Sequence, residues 1–174
     1  MKYRLDQTTT EEIIKRVADR LMIAAKTAPK GRGVNCLDMI LLTGKDKDDL
    51  SVAMDKIAEE ESVRFFYRDA DNIRKSQAVL LIACHSQVRG LNCGLCGSLC
   101  DTKPEAVPCV FNVVDLGIAL GSAVSTAMDI KVDNRILYSA GKAAIKLKLF
   151  AKNMPIAFAI PLSIDDKNIF FDRK

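Results

Sequence analysis

The feature that most constrains this chain is a group of four cysteines within a segment of seventeen residues. They are Cys93, Cys96, Cys100 and Cys109. Gly94 and Gly97 lie between the first three, where a backbone without side chains can wrap closely and turn its N–H groups toward sulfur atoms. Four converging thiolates suit a 4Fe-4S cluster, which needs four ligands around a small inorganic core. The spacing therefore predicts an iron-sulfur loop over residues 90–110, with these four cysteines as the metal ligands.

Two other uses of clustered cysteines remain open. A structural zinc site without a redox role also takes four thiolates, although zinc ribbons and fingers usually present two well-separated pairs, not three ligands in eight residues. A redox disulfide between Cys93 and Cys96 is the other alternative, and it leaves Cys100 and Cys109 without a role.

Residues near the cluster have simpler interpretations. Cys36 and Cys84 lie in apolar segments and are expected to be small buried hydrophobes. His85, the single histidine, is expected to be structural, because four cysteines already complete the coordination. Leu95, Leu99 and Val110 are expected to limit the access of solvent to the site.

Length and composition indicate one soluble domain, residues 1–174. With 49% hydrophobic and 28% charged residues the chain can bury a core. Its net charge of +4 is spread along the sequence, so no nucleic-acid partner is predicted. The N-terminus lacks a signal pattern, and the longest clean apolar run, 78–84, is far shorter than the ~20 residues of a membrane span. We therefore expect a cytoplasmic protein with no membrane partner, in which clustered cysteines indicate metal or redox chemistry.

Helices and strands alternate along the sequence. A capping-box pattern of Thr9 and Glu12 predicts a helix whose apolar residues recur at helical spacing as far as Pro29. Asp46 is expected to cap a second helix, with helical content extending toward Ser76. The remaining predicted strands are 36–42, 78–84, 135–138 and 155–160, and the remaining helices are 112–128 and 142–150. This alternation predicts an α+β fold.

The helix predicted at 112–128 is apolar almost all round, which is typical of a centrally buried helix. Gly117 and Gly121 allow another backbone to approach closely, either within the core or across a dimer axis. Phe170 and Phe171 need cover on this core or on a partner subunit. A homodimer is therefore predicted.

The turn after the first helix could bind a phosphate group through its positive side chains and its backbone N–H groups. Its candidate residues are Lys30, Gly31, Arg32 and Gly33. An ordinary helix stop explains the same residues, because glycine ends helices and cations suit the negative end of the helix dipole. Ser139 to Lys142 could likewise hold an anion, or Ser139 could only cap a helix.

Several segments resemble the DUF2148 family of prokaryotic proteins that contain a ferredoxin domain. They are 25–31, the cysteine segment, 115–123, 132–135 and 167–173. The resemblance covers nearly the whole chain and implies a 4Fe-4S-type cluster at the four cysteines. It implies no particular reaction, so catalytic residues stay unknown, and any enzymatic activity would be that of an oxidoreductase. The partner would be a redox protein or a small-molecule electron donor.

A fainter resemblance is to nitroreductases, which are dimeric flavin enzymes. It rests on the end of the first helix, Ala24 to Pro29, which is similar to the start of their flavin-phosphate loop. The resemblance implies a mixed sheet packed with helices around a buried central helix. The order of the predicted elements places the cysteine loop after the second strand. The resemblance also implies an alternative function, an FMN-dependent oxidoreductase in which Lys30 to Gly33 hold the flavin phosphate.

Overall fold

The computed structural model describes residues 4–151 and 154–171 of the chain. Its helices are α1 (Gln7–Thr27), α2 (Gly44–Glu60), α3 (Phe65–Lys75), α4 (Val110–Asp129) and α5 (Tyr138–Lys146). Its strands are β1 (Leu37–Thr43), β2 (Ala78–Cys84), β3 (Asp133–Asn134) and β4 (Ile156–Ser163). Short 3-10 turns occupy Gly31–Gly33 and Cys100–Thr102. The predicted α+β class is confirmed.

The capping box of α1 begins three residues before the predicted position. The Asp6 carboxylate accepts the Thr9 N–H at 3.0 Å, and the Thr9 hydroxyl accepts the Asp6 N–H at 2.8 Å. Thr9 therefore closes the box and does not open it with Glu12. Aspartate and threonine at this spacing satisfy the same two N–H groups as the commoner Ser/Thr and Glu pair.

The predicted second helix is two helices. α2 ends at Glu60, and Ser62 has a left-handed φ of 57°. The Val63 N–H then donates to the Ala58 carbonyl at 3.0 Å, which closes the end of the helix. The chain reverses here, so α2 and α3 form a helical hairpin.

α5 lies about one turn earlier than predicted, at Tyr138–Lys146 and not 142–150. Tertiary contacts hold its first turn: the Ser139 hydroxyl donates to the Asp69 carboxylate at 2.6 Å, and both side chains are buried. Gly141 packs against β4 so closely that a Cβ there would lie 1.9 Å from a backbone oxygen of the strand. Ser139 is therefore a buried partner of Asp69, and neither a helix cap nor an anion ligand.

The sheet has the order β1-β2-β4-β3, and every strand pairing among the described residues is antiparallel. The expected mixed sheet is therefore antiparallel in this part of the chain. The reason lies in the α2–α3 hairpin, which returns the chain to the end of β1 that it left, so that Thr43 pairs with Ala78. The predicted strand 135–138 is reduced to one bridge between Leu137 and Ala159.

β2 is buried along its whole length because helices cover both faces of the sheet. Ala78, Leu80, Ile82 and Cys84 face the core formed with α1 and α4. The intervening residues of β2 face a second core, formed with α2, α3 and α5. Continuous apolar runs are typical of strands covered on both faces.

α4 is buried on one side only. Its inner residues, among them Leu116, Ala119 and Ala123, pack against α1 and the sheet. On the outer side Ile118 and Met128 are exposed, and a Cβ added at Gly117 or Gly121 would meet nothing within 4 Å. The predicted central burial of this helix therefore holds for its inner side, and its outer side is exposed in the single chain. By length and composition α4 could cross a membrane, and it is the one such helix among the described residues.

Candidate metal centre

The cysteine segment lies in the loop between β2 and α4, after the second strand as predicted. The start of this loop is fixed from two sides. Asn112, buried in the first turn of α4, donates to the carbonyls of His85 at 3.0 Å and Gln87 at 2.9 Å. The His85 N–H donates to the Cys36 carbonyl at 3.0 Å, which extends the β1–β2 ladder by one step. The sheet and α4 together therefore set where the cysteines begin.

Cys109 is the N-terminal flanking residue of α4 and is buried. Burial opposes ionisation of its thiol, but the N–H groups of Arg89, Phe111 and Asn112 and the thiol of Cys96 all donate to its sulfur. Together these donors lower the pKa of Cys109 below its ordinary value. A helix N-terminus favours a thiolate because its N–H groups are otherwise unpaired and carry partial positive charge. Cys109 is thus prepared as an anionic ligand.

Cys96 and Cys100 also receive backbone hydrogen bonds at sulfur. The Val110 N–H donates to the Cys96 sulfur at 3.2 Å, so Cys96 and Cys109 meet at the same end of α4. The Asn92 N–H donates to the Cys100 sulfur at 3.4 Å, and the Cys100 N–H donates to the Asn92 side-chain oxygen at 3.0 Å. This reciprocal pair ties the two ends of the cysteine turn together.

The rest of the turn faces outward. Cys93 is exposed, and Gly94 and Gly97 have φ values of 72° and 84°, which side chains rarely adopt. Leu95 is 66% exposed and Leu99 is 54% exposed. The expectation that these leucines shield the site is therefore wrong, since both side chains face solvent among the described residues.

The donor chemistry of the loop fits an iron-sulfur centre: four thiols lie in one loop, and three of the sulfurs accept backbone N–H groups. The four sulfurs are not yet assembled. Among residues 4–151 and 154–171, no three Cys, His, Asp or Glu side chains lie close enough to hold a metal. The structure pairs Cys96 with Cys109 and leaves Cys93 and Cys100 apart from that pair. Ligation by all four would therefore require Cys93 and Cys100 to lie closer to that pair.

Sequence reasoning missed Arg89 and Asp115, which form a buried ion pair between the cysteine loop and α4. The Arg89 guanidinium donates from Nη2 to the Asp115 carboxylate at 2.7 Å, and both side chains are buried. The other Asp115 oxygen accepts the Gly31 N–H at 2.8 Å. A signal was present, because Asp115 is the only charged residue in 112–128. A carboxylate on the buried side of an apolar helix needs a partner.

The proposed phosphate residues have internal partners. The Lys30 ammonium donates to the carbonyls of Ala25, Lys26 and Ala28 at 3.0, 2.7 and 2.8 Å, and burial lowers its pKa. The Gly31 N–H is used by Asp115, whose negative charge would repel a phosphate. Arg32, although exposed, donates to the Arg89 carbonyl at 2.7 Å. Gly33 is exposed with a φ of 66°, as suits the end of a turn. These contacts fit a helix stop and do not fit an FMN phosphate.

A cavity of about 780 Å³ lies beside the loop. Its wall includes His85, Lys103 and Glu105, and two of these lie between Cys100 and Cys109. The cavity is wide enough for a small organic molecule.

The remaining two cysteines are fully buried, as predicted. Burial raises the pKa of Cys36, and it raises that of Cys84 to about 12. Both therefore stay protonated at neutral pH and pack as small apolar groups.

Solved structures identify the class of fold. The chain superposes on a BluB-like flavoprotein from Clostridium difficile 630 with a TM-score of 0.64, 13% identity, and coverage of 100% of this chain and 87% of the other. It superposes on nitroreductase CinD from Lactococcus lactis, solved with nicotinic acid, with a TM-score of 0.65 and 11% identity. That match covers 95% of this chain and 82% of the other. For the NADPH:FMN oxidoreductase from Vibrio harveyi, solved with NAD+, the TM-score is 0.59 and the identity 11%. That match covers 88% of this chain and 60% of the other. The fold is therefore nitroreductase-like, and at these identities the likeness extends to the fold alone.

Sequence comparison then identifies the family. The model described as an uncharacterized protein containing a ferredoxin domain (DUF2148) matches residues 105–173. An uncharacterized protein from Archaeoglobus fulgidus is 36% identical over 161 residues, which cover 86% of each chain. This chain belongs to the DUF2148 family. The segment matched by the model contains Cys109 and begins after the other three proposed ligands.

Proposed function

We propose that this protein is an electron-transfer protein that holds a 4Fe-4S cluster on Cys93, Cys96, Cys100 and Cys109. The observation that carries the proposal is the meeting of the Cys96 and Cys109 sulfurs at the N-terminus of α4, where backbone N–H groups donate to both. At Cys109 these donors favour the thiolate that a metal ligand must be. The ferredoxin domain named in the family description supports the same cofactor.

When bound, the cluster would accept and release one electron at a time. The chain's own part is to hold it beside an exposed turn, where Cys93, Leu95 and Leu99 are open to solvent. An electron donor or acceptor could therefore approach without entering the core. A redox protein could dock on this turn, and a small-molecule donor would find room in the adjacent cavity of about 780 Å³. A cytoplasmic location belongs to the same proposal.

The test is metal and sulfide analysis of protein purified without oxygen. We expect brown protein with about four iron and four sulfide per chain. The variant Cys109→Ser should lose the chromophore, whereas Cys84→Ala, which changes a cysteine that is also buried, should keep it. Zinc without iron or sulfide would refute the proposal and favour the structural zinc site. Cys109→Ser protein that keeps its full iron content would refute the ligand assignment.

An FMN-dependent oxidoreductase remains the second candidate, because the fold is shared with flavoproteins. Against it, Lys30 and Gly31 already have internal partners. Yellow protein with a two-banded flavin spectrum and no iron would favour this alternative.

The homodimer is also a proposal, and the outer face of α4 supports it. Val114, Ile118 and Met128 recur there at helical spacing and are 48%, 41% and 58% exposed. Gly117 and Gly121 leave room between them for the backbone of a second copy. Light scattering should give twice the monomer mass, and Ile118→Glu should halve it. The control Val52→Glu places the same charge at an exposed valine of α2 and should leave the mass unchanged. A monomeric wild-type chain at high concentration would contradict the proposal.

A further inference from the structure

Arg89 connects the buried Arg89–Asp115 ion pair to the cysteine loop. Arg89 donates its backbone N–H to the Cys109 sulfur, and its guanidinium donates to Asp115 at 2.7 Å. The side chains of Arg89 and Asp115 are only 1% and 4% exposed. Charges this deep are weakly screened by solvent and salt, so they act strongly on any other charge nearby.

The pair does not use all of its hydrogen-bonding capacity. Arg89 Nε and Nη1 are buried and have no hydrogen-bond partner among the described residues. The neutral, buried Cys36 thiol lies against the same guanidinium and is at most a weak acceptor for it. A purely structural ion pair would be expected to satisfy its buried donors, and buried donors without partners are uncommon in native proteins. One buried cation and one buried anion therefore lie side by side close to Cys109, and their charges act on it with opposite signs.

We infer that Arg89 and Asp115 tune the reduction potential of the cluster, with opposite signs. The inference rests on the proposed function. One electron from a one-electron donor adds one negative charge to the cluster, with no proton taken up and no bond broken. Arg89 stabilises that added charge and so raises the potential, whereas Asp115 destabilises it and lowers the potential. Both act through charge and touch no substrate, so they are positioning residues and not catalytic ones.

The test is an anaerobic titration of the wild-type protein and its variants with dithionite, followed by electron paramagnetic resonance and by iron and sulfide content. Arg89→Gln removes the cation and should shift the midpoint potential to a more negative value. Asp115→Asn removes the anion and should shift it to a more positive value. The double variant Arg89→Met/Asp115→Leu removes both charges and should lie between the two single variants. Arg32→Met is the matched control: this exposed cation bonds to the Arg89 carbonyl, and its loss should leave the potential unchanged.

The outcomes separate the inference from the proposed function. Opposite shifts at full iron content support the inference, because a structural role would not reverse sign between the two partners. Equal potentials, or shifts in one direction, at full iron content would overturn the inference and leave the cluster in place. Wild-type protein without iron would overturn both. If one single variant does not fold, the other single variant and the double variant still decide the sign.

Discussion

Replacing Lys30 by methionine would separate the two roles considered for the turn after α1. The Lys30 ammonium donates to three carbonyls at the C-terminal end of α1, at 2.7 to 3.0 Å. These carbonyls have no further helical turn to pair with, and the ammonium also lies at the negative end of the helix dipole. Methionine keeps the apolar stem and removes only the charge and the donors.

The expected cost follows from these contacts. Hydrogen bonds to a charged group contribute about 1.5–3 kcal/mol each. The site is only partly buried, so water replaces much of what is lost, and burial already lowers the pKa of Lys30 and so offsets part of the gain. We therefore expect a total of about 2 kcal/mol, and a melting temperature lower by about 4–8 °C for a domain of this size.

Thermal and urea unfolding of Lys30→Met beside Lys26→Met would measure this. Lys26 lies on the same last turn of α1 and is exposed, so the same substitution there should cost under about 1 kcal/mol. Equal losses in the two variants would refute the capping role. Wild-type stability combined with loss of bound FMN would restore the phosphate hypothesis.

Three further substitutions test the packing of the two cores. Gly141→Ala should lower the free energy of unfolding in urea by about 1–3 kcal/mol, because the new Cβ would lie 1.9 Å from the Ala157 carbonyl oxygen. The better helix propensity of alanine would not offset this clash. Unchanged stability would show that α5 can move away. Burial raises the pKa of Cys84 from 9.0 to about 12, so the thiol keeps its proton in the folded chain while the unfolded chain loses it. Between these two pKa values, each pH unit should therefore lower the stability of the wild type by about 1.4 kcal/mol more than that of Cys84→Ala. Parallel pH profiles of the two proteins would contradict this. Asp69→Asn should lower the free energy of unfolding by about 1–3 kcal/mol, because it weakens the buried hydrogen bond from Ser139. A double-mutant cycle with Ser139→Ala measures that bond directly. A coupling energy of zero would rule the bond out as the cause.

Elements governed by local rules were predictable from the sequence. β1 and β2 are short apolar runs next to glycine or polar residues, and their predicted limits differ from the observed ones by at most one residue. The glycines of the cysteine turn adopt the left-handed conformations that only glycine adopts easily. The placement of the loop after β2 also followed, because it needs only the order of elements along the chain.

Elements governed by distant contacts were not predictable. α5 begins at Tyr138 because Ser139 and Gly141 meet Asp69 and β4, which are far away in sequence. The outward position of Leu95 and Leu99 depends on what covers the loop, and periodicity carries no information on that.

The sequence by itself determined that four thiols lie in one glycine-containing loop, since ligand type and spacing are properties of the chain. The tertiary structure decided how those thiols are prepared. It places Cys96 and Cys109 at the N-terminus of α4, and it pairs Arg89, whose N–H donates to the Cys109 sulfur, with Asp115 of the same helix. Both depend on the packing of α4 against α1 and the sheet, which brings residues that are distant in sequence into a setting where solvent no longer screens their charges.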